Sequence, residues 1–241
     1  MKTLNIAHRG ASGSYPENTM LAFFCANDLG CDGIETDVQL TKDNIPVLIH
    51  DETVNRTTNG RGFVKDYTYS DLSKLDAGSN FSNKFSCETI PTLDELLDFT
   101  KNENLILNLE LKNSIINYPN LEEIVFSKIT EYSLEDKIII SSFNHYSMKH
   151  FKDIAPYLNV GLLYDLNLYH PEKYAKFVGV DALHPSFHSL NSKIVEDSHN
   201  ENIKINTYTV NTTKDMETML KLKVDGIITN YPGILKTIID K

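Results

Sequence analysis

Two acidic residues that lie two positions apart, Glu35 and Asp37, are the strongest chemical signal in the sequence. They fall within Gly33–Leu40, a segment with the pattern of a β-strand, in which alternate side chains share one face. Both carboxylates are therefore expected to project the same way. Enclosed carboxylates repel each other and lose hydration, so such a pair needs a bound cation or a proton. A solvated outer strand face is the alternative explanation of an isolated pair.

A second segment, Leu105–Lys112, carries a similar arrangement. Leucines occupy every other position, so Glu110 and Lys112 are expected together on the opposite face. One charged pair at a strand end is ordinary, but two such pairs are hard to explain by solvated faces. Their combination favours a shared functional site.

Basic and imidazole side chains complete the set. His8 and Arg9 follow the first apolar segment of the chain, and His50 ends the short segment Pro46–His50. Three carboxylates outnumber the two cations, Arg9 and Lys112, so the site without a metal would repel phosphate. A divalent cation reverses that sign and suits a phosphodiester monoanion. An oxygen-rich site without thiolates favours Mg²⁺, Ca²⁺ or Mn²⁺ over Zn²⁺, which leaves the imidazoles free for proton transfer.

Each of these polar side chains also has a purely structural explanation. A lone histidine is often a satisfied core residue, and His50 can cap a turn with Asp51. The two cations can form ion pairs that serve only the fold. Phe143 and Phe187 follow predicted strands, and we interpret both as core residues, with the wall of an apolar pocket as the alternative.

Alternating strands and helices must position these side chains. Apart from Pro46–His50, eight strands are predicted, each followed by a helix. Such repeats indicate a parallel sheet closed into a (β/α)8 TIM barrel, with an open doubly wound sheet as the alternative. In this barrel, chemistry gathers where strands end. The predicted strands are Thr3–Ala7, Gly33–Leu40, Leu105–Leu111, Lys137–Ser141, Asn159–Leu163, Asp181–His184, Lys204–Thr209 and Gly226–Thr229.

One aperiodic stretch interrupts the alternation after the second strand. It is rich in turn residues, such as Thr57-Thr58-Asn59-Gly60. We interpret residues 47–91 as a small inserted subdomain, and residues 1–241 as a single barrel domain.

Composition excludes several classes of partner. The net charge is −10 and no basic run is present, which argues against nucleic acid and anionic membranes. No apolar run approaches the length of a membrane span, so stable membrane insertion is not expected. Cys25, Cys31 and Cys87 lack a disulfide or zinc pattern and favour a reducing, cytoplasmic location. The oligomeric state has no signature in the sequence.

Nine short motifs, spread in order along almost the whole chain, carry a family resemblance. They are Ala7-His8-Arg9-Gly10, Pro16-Glu17-Asn18-Thr19, Glu35-Thr36-Asp37-Val38, Val47-Leu48-Ile49-His50-Asp51, Arg56-Thr57-Thr58-Asn59-Gly60, Glu110-Leu111-Lys112, Ile140-Ser141-Ser142-Phe143, Thr209-Val210-Asn211 and Asp225-Gly226-Ile227-Ile228-Thr229. Together they resemble the signature of the glycerophosphodiester phosphodiesterase family.

The resemblance implies a (β/α)8 barrel with an insertion after the second strand. It also implies hydrolysis of glycerophosphodiesters, such as glycerophosphocholine or glycerophosphoethanolamine, to an alcohol and sn-glycerol 3-phosphate with one divalent cation. The matching positions are Glu35, Asp37 and Glu110 for the metal, His8 and His50 for acid–base catalysis, and Arg9 and Lys112 for the phosphate.

Two positions depart from the family pattern. Tyr208 stands where relatives often carry Trp, and Asn230 follows Thr229 where relatives often have Thr-Asp. We expect both changes at the rim of the pocket, not at the metal. The alternatives are a lysophospholipase D or phospholipase C-like enzyme acting on lipids, and a non-catalytic phosphate-binding barrel. The latter would not need both histidines and three acids together.

Overall fold

The computed structural model describes residues 2–241 and contains a closed barrel of eight parallel strands. β1 pairs with both β9 and β2, which closes the ring and confirms the barrel over the open sheet. β3 lies outside the ring and pairs antiparallel with β2. The strands are β1 (Leu4–His8), β2 (Gly33–Leu40), β3 (Pro46–Leu48), β4 (Ile106–Leu111), β5 (Ile138–Ser142), β6 (Asn159–Tyr164), β7 (Ala182–Pro185), β8 (Lys204–Thr207) and β9 (Gly226–Thr229).

Helices follow each barrel strand and cover its outer side. Several begin at a Thr or Asn whose side chain accepts a hydrogen bond from a free N–H of the first turn, such as Thr19, Thr92 and Asn144. The helices are α1 (Met20–Asp28), α2 (Tyr69–Leu72), α3 (Leu93–Lys101), α4 (Leu121–Tyr132), α5 (His145–Ile154), α6 (Pro171–Val178), α7 (Ser192–Asn200), α8 (Thr213–Leu222) and α9 (Pro232–Ile239).

Most predicted boundaries agree with the structure to within two residues. Strand β8 ends at Thr207 rather than Thr209, because Tyr208 forms only an isolated bridge with Ser186. The short helix α2 was not predicted, since four residues are too few to show a helical period.

The strands divide apolar from polar side chains between their two faces. Ile34 and Val38 of β2 belong to a large apolar cluster that also contains Phe23 of α1 and Phe151 of α5. The outward faces therefore form the core between barrel and helices. The inward faces carry the charged and amide side chains, so the candidate site residues lie inside the ring.

Residues between β3 and α3, hereafter the β3–α3 segment, pack around a second apolar cluster. It consists of Val47, Ile49, Val54, Val64, Leu72, Ala77 and Ile90. Gln39 ties the start of this segment to the barrel, because its Nε2 donates to the carbonyls of Ile49, His50 and Asp51 at 2.7–3.0 Å. The backbone at His50 is thereby held beside β2. None of the helices in residues 2–241 combines the length and apolar character that a membrane span requires.

Candidate active site

A cavity of about 180 Å³ opens at the carboxyl ends of the barrel strands. Five of the seven candidate site residues line this cavity, and the other two are within ion-pair distance of residues that do. The structure thus brings all seven together. The lining residues are His8, Arg9, Glu35, His50 and Glu110, with Asp37 and Lys112 directly behind them.

Three buried carboxylates form the floor of the site. Glu35 and Asp37 project from β2, and Glu110 is the Cα partner of Asp37 on β4. One oxygen from each residue lies within 4.8 Å of the others, and their exposed fractions are 3%, 0% and 8%. The pairing of parallel strands, which alternation alone does not reveal, makes one cluster of the three acids.

This cluster fits a divalent cation. The Oδ1 atom of Asp37 is inaccessible to solvent and has no hydrogen-bond partner among the described residues. The nearest ion-pair partner of that atom, Nζ of Lys112, lies 3.7 Å away. A buried carboxylate oxygen without a donor is costly, and an all-oxygen donor set suits Mg²⁺, Ca²⁺ or Mn²⁺.

Burial and charge act in opposite directions on the three acids. Burial, reinforced by the negative charge of Asp37, raises the pKa of Glu35 well above its ordinary value and raises that of Glu110. Burial would raise the pKa of Asp37 too, but the charges of Arg9 and Lys112 prevail and lower it to about 2. The cluster without a cation therefore retains protons for which a cation would compete.

The two cations are engaged by the surrounding acids. Nζ of Lys112 lies 2.8 Å from Oε1 of Glu110, and Nε of Arg9 lies 3.2 Å from Oδ2 of Asp37. A left-handed turn at Arg9 and Gly10, with φ of 56° and 78°, directs the arginine toward the cavity. A Cβ on Gly10 would lie 2.6 Å from the carbonyl carbon of Ala22, so the turn requires glycine.

His8 is held as a neutral imidazole. Its Nδ1 lies 2.6 Å from Oδ1 of Asn230, and its Nε2 lies 3.9 Å from Oε2 of Glu35. Burial, with the positive charge of Arg9, lowers the pKa of His8 to about 4. The Nδ1–H donates to Asn230, which leaves Nε2 as a proton acceptor. Asn230, which was expected at the pocket rim, thus contacts a candidate catalytic histidine directly.

His50 faces the same cavity from the β3–α3 segment. Its Nδ1–H donates to Oδ1 of Asp51 at 2.7 Å, which leaves Nε2 available for substrate. Hydrogen bonds from Arg56 and His50 hold the pKa of Asp51 well below its usual range. The hydrogen bond to Asp51 is the one expected if His50 only capped a turn. A cap would not require the imidazole to line the cavity, however, and this position favours a role in catalysis.

Glu17 and Asn18 also belong to the site, although the sequence alone predicts no role for either residue. Oε1 of Glu17 accepts a hydrogen bond from Nη1 of Arg9 at 2.9 Å, so a fourth carboxylate joins the site. Asn18 donates to Oδ2 of Asp37 at 2.9 Å and accepts from Thr36 at 2.7 Å. The motif Pro16-Glu17-Asn18-Thr19 is the sequence feature that could have drawn attention to these two residues.

Aromatic side chains line another part of the cavity. Phe143 is 41% exposed and meets Tyr208 edge to face, with 6.1 Å between ring centroids. The interpretation of Phe143 as a core residue is therefore wrong, because it extends past the end of β5 into the cavity. Phe187 packs against the main apolar cluster, as expected. Together, fold and site define a (β/α)8-barrel hydrolase that acts on a phosphate ester.

Comparison with known proteins identifies the family to which the chain belongs within this class of hydrolases. The sequence model of the Glycerophosphoryl diester phosphodiesterase family matches residues 8–234, and the chain belongs to that family. The chain is 48% identical over 241 residues to a glycerophosphodiester phosphodiesterase of Caldanaerobacter subterraneus, covering 100% of this chain and 99% of the relative. It is 42% identical over 229 residues to a glycerophosphodiester phosphodiesterase of Bacillus altitudinis, with 94% of each covered.

Solved structures agree with this assignment. A phosphodiesterase of Oleispira antarctica, in complex with the product sn-glycerol-3-phosphate, has a TM-score of 0.88 and 29% identity, covering 98% of this chain and 96% of that one. A glycerophosphodiester phosphodiesterase of Agrobacterium tumefaciens has a TM-score of 0.87 and 26% identity, covering 98% and 100%. The family resemblance and the barrel fold are confirmed, and the protein is a phosphodiester hydrolase.

Proposed function

We propose that the protein hydrolyses small glycerophosphodiesters, such as glycerophosphocholine or glycerophosphoethanolamine, to an alcohol and sn-glycerol 3-phosphate. The reaction uses one divalent cation, Mg²⁺, Ca²⁺ or Mn²⁺. The observation that carries this proposal is the buried cluster of three carboxylates that shares one cavity with two cations and two histidines. The Oleispira antarctica relative, solved with sn-glycerol-3-phosphate, supports the same product.

Glu35, Asp37 and Glu110 would hold the cation. When bound, a divalent cation of this kind polarises a phosphoryl oxygen and offsets the negative charge that develops in the transition state. The three residues supply only oxygen ligands from two neighbouring strands, so their spacing is fixed by the ladder between β2 and β4.

Arg9 and Lys112 bind the phosphate. Burial opposes their charges, yet the neighbouring acids raise the pKa of both groups, so both stay protonated. Arg9 can hold two phosphate oxygens through its planar fork, whereas Lys112 acts as a point charge. Because the net charge of the chain is −10, this local pair attracts the anionic substrate against the overall field.

The two histidines divide the proton transfers. His8, neutral and with Nε2 free to accept, takes the proton of the nucleophile. His50 gives a proton to the leaving alkoxide, because the adjacent Asp51 accepts from its Nδ1–H and so fixes the orientation of the ring at the cavity. The nucleophile is water, or the glycerol 2-hydroxyl forming a cyclic phosphate that water opens. A substrate that lacks the 2-hydroxyl separates these two routes.

The substrate class is tested by comparing glycerophosphocholine with lysophosphatidylcholine. A cavity of about 180 Å³ is large enough for a glycerophosphate group, whereas an acyl chain would have to extend beyond it. We expect kcat/KM to be at least about tenfold higher for the water-soluble diester. Faster turnover of lysophosphatidylcholine would favour the lipid-directed alternative. Absence of product from every headgroup, with each of the three metals added, would favour the non-catalytic alternative.

We further propose a cytoplasmic location and no nucleic-acid partner. All three cysteines, Cys25, Cys31 and Cys87, carry free thiols, which supports a reducing compartment. The strongly negative net charge opposes binding to a polyanion. Cell fractionation with an activity assay tests the location, and recovery of the activity outside the cytoplasmic fraction would refute it.

A further inference from the structure

One arginine connects the β3–α3 segment to the barrel through two carboxylates at once. Nε and Nη2 of Arg56 donate to Asp51 at 2.8 and 3.0 Å, and Nη1 and Nη2 donate to Glu17 at 2.7 and 2.8 Å. A guanidinium has five N–H donors, so these bonds occupy four of them. Two bidentate pairs on one guanidinium fix its plane and both carboxylates with it.

Each of these carboxylates continues to a residue of the active site. Asp51 accepts the Nδ1–H of His50 at 2.7 Å. Glu17 accepts from Nη1 of Arg9 at 2.9 Å. Arg56 therefore reaches the proton-transfer side of the cavity through one acid and the phosphate-binding side through the other.

The backbone around Arg56 is itself held in place. Nδ2 of Asn80 donates to the carbonyl of Arg56 at 3.2 Å and to that of Thr58 at 2.7 Å. The buried hydroxyl of Thr58 donates to the carbonyl of Val54 at 2.7 Å. The turn thus presents the arginine from a fixed position.

We propose that Arg56 is a positioning residue for the hydrolysis, which holds His50 through Asp51 and Arg9 through Glu17. This inference rests on the proposed function of the site. The side chain of Arg56 is 47% exposed, and ion pairs exposed to this degree contribute little to stability. Its four hydrogen bonds therefore matter through the two acids that they orient, not through the folding free energy.

Loss of Arg56 frees both acids. Asp51 can then rotate away from Nδ1 of His50, and Glu17 loses the partner that directs it toward Arg9. Removal of such outer contacts typically costs about 10–100-fold in activity. We expect Arg56→Ala to lower kcat by that factor and to raise KM several-fold, with a melting temperature close to that of the wild type.

The test compares Arg56→Ala with Arg61→Ala, a matched arginine in the same segment, on glycerophosphocholine. The activity of the wild type is measured first, so failure of the proposed function is seen separately. We expect Arg61→Ala to behave as wild type and Arg56→Lys to be intermediate, because a lysine cannot span both acids. Wild-type kcat and KM in Arg56→Ala would overturn the inference.

A double variant separates positioning from general damage. If Arg56 acts on kcat through Asp51, then adding Arg56→Ala to Asp51→Asn should lower kcat by less than about threefold. Fully multiplicative losses would overturn this route. An activity loss in Arg56→Ala that is matched by an equal loss of folded protein would also overturn it.

The imidazole of His50 provides a readout that does not depend on activity. At a pH high enough for the ring to be neutral, ¹⁵N NMR of the wild type should show the remaining proton on Nδ1, because that nitrogen donates to Asp51. In Arg56→Ala the signal should indicate a mixture of tautomers. A pure Nδ1–H tautomer in both proteins would contradict the proposed role.

Discussion

At the scale of single residues, the site is defined by acids that the fold buries close together. Glu35, Asp37 and Glu110 are nearly inaccessible, and two of them have a raised pKa. Burial of carboxylates without a ligand costs folding free energy and gives no compensating stabilisation. We therefore propose that a divalent cation completes the charge of this cluster.

Metal binding is therefore expected to release protons and to depend on pH. Protonation of Glu35 and Glu110 stabilises the metal-free fold fully below the ordinary glutamate pKa of 4.5. That stabilisation is lost as the pH rises through their raised pKa values. Added cation should thus raise the melting temperature more at about pH 8 than at about pH 5. Titration calorimetry in buffers of different ionisation enthalpy measures the release. Tight binding at about pH 5 without proton release would refute this prediction.

Asn230 offers a test of His8. An aspartate at position 230 would favour the imidazolium form, so the pKa of His8 should rise from its value of about 4. In Asn230→Asp, the acid limb of kcat/KM should move up by about one pH unit. Asn230→Ala removes the contact without adding charge and serves as the control. An unmoved limb in Asn230→Asp would exclude His8 as the base.

The contacts that the sequence did not predict are those between residues far apart in the chain. Alternation within one strand predicted the faces of Glu35 and Asp37. The contact between Asn230 and His8 joins positions 222 apart, and that between Arg56 and Glu17 joins positions 39 apart. Periodicity within one segment does not indicate which distant residues are in contact. The motifs that contain these residues could therefore be recognised in the sequence, but the roles of the residues could not be predicted.

At the scale of elements, a large side chain on one barrel strand fills the space that a glycine leaves on the neighbouring strand. On β7, His184 is fully buried, and burial lowers its pKa to about 3, so the ring is neutral. Nδ2 of Asn206 lies 3.0 Å from its Nε2. Gly161 on β6 leaves the space that this ring fills, since a Cβ there would lie 2.4 Å from Nε2.

Gly161→Ala should therefore destabilise the fold by about 1–3 kcal/mol through overpacking. The clash is with a side chain, so His184→Ala should relieve it in the double variant. We expect the loss in the double variant to be smaller than the sum of the two single losses. Urea unfolding of all four proteins measures this coupling. Strictly additive losses would show that the two positions do not compete for space.

Regular elements were predicted well because their signals are local. Apolar alternation, helix caps and breaking glycines fixed the eight barrel strands to within two residues. The β3–α3 segment has little period, and its apolar residues, such as Val54 and Leu72, are scattered. Its packing follows from contacts between turns, which sequence alternation does not encode.

At the scale of the whole molecule, we propose that residues 1–241 form one domain and that residues 47–91 are its inserted subdomain. The two apolar clusters meet across β3, where Val47 belongs to one and Leu48 to the other. Gln39 of β2 also joins the segment to the barrel, through hydrogen bonds to the carbonyls of Ile49, His50 and Asp51. Such shared elements favour joint unfolding.

A single unfolding transition is accordingly expected. Far-ultraviolet and near-ultraviolet circular dichroism should give the same urea midpoint, since both report one cooperative unit. Tyrosines occur in both parts, for example Tyr67 and Tyr164, so the near-ultraviolet signal samples each. Two separated midpoints would show that the β3–α3 segment folds on its own.

The central claim is that one divalent cation, held by Glu35, Asp37 and Glu110, supports hydrolysis of a glycerophosphodiester. The most direct measurement is release of sn-glycerol 3-phosphate from glycerophosphocholine by metal-stripped protein as Mg²⁺, Ca²⁺ or Mn²⁺ is titrated back, with Glu35→Ala in parallel. We predict no release in EDTA and saturable recovery in the wild type. Glu35→Ala should stay folded but neither bind metal nor recover activity. Full activity in EDTA, or unchanged metal affinity in Glu35→Ala, would contradict the claim.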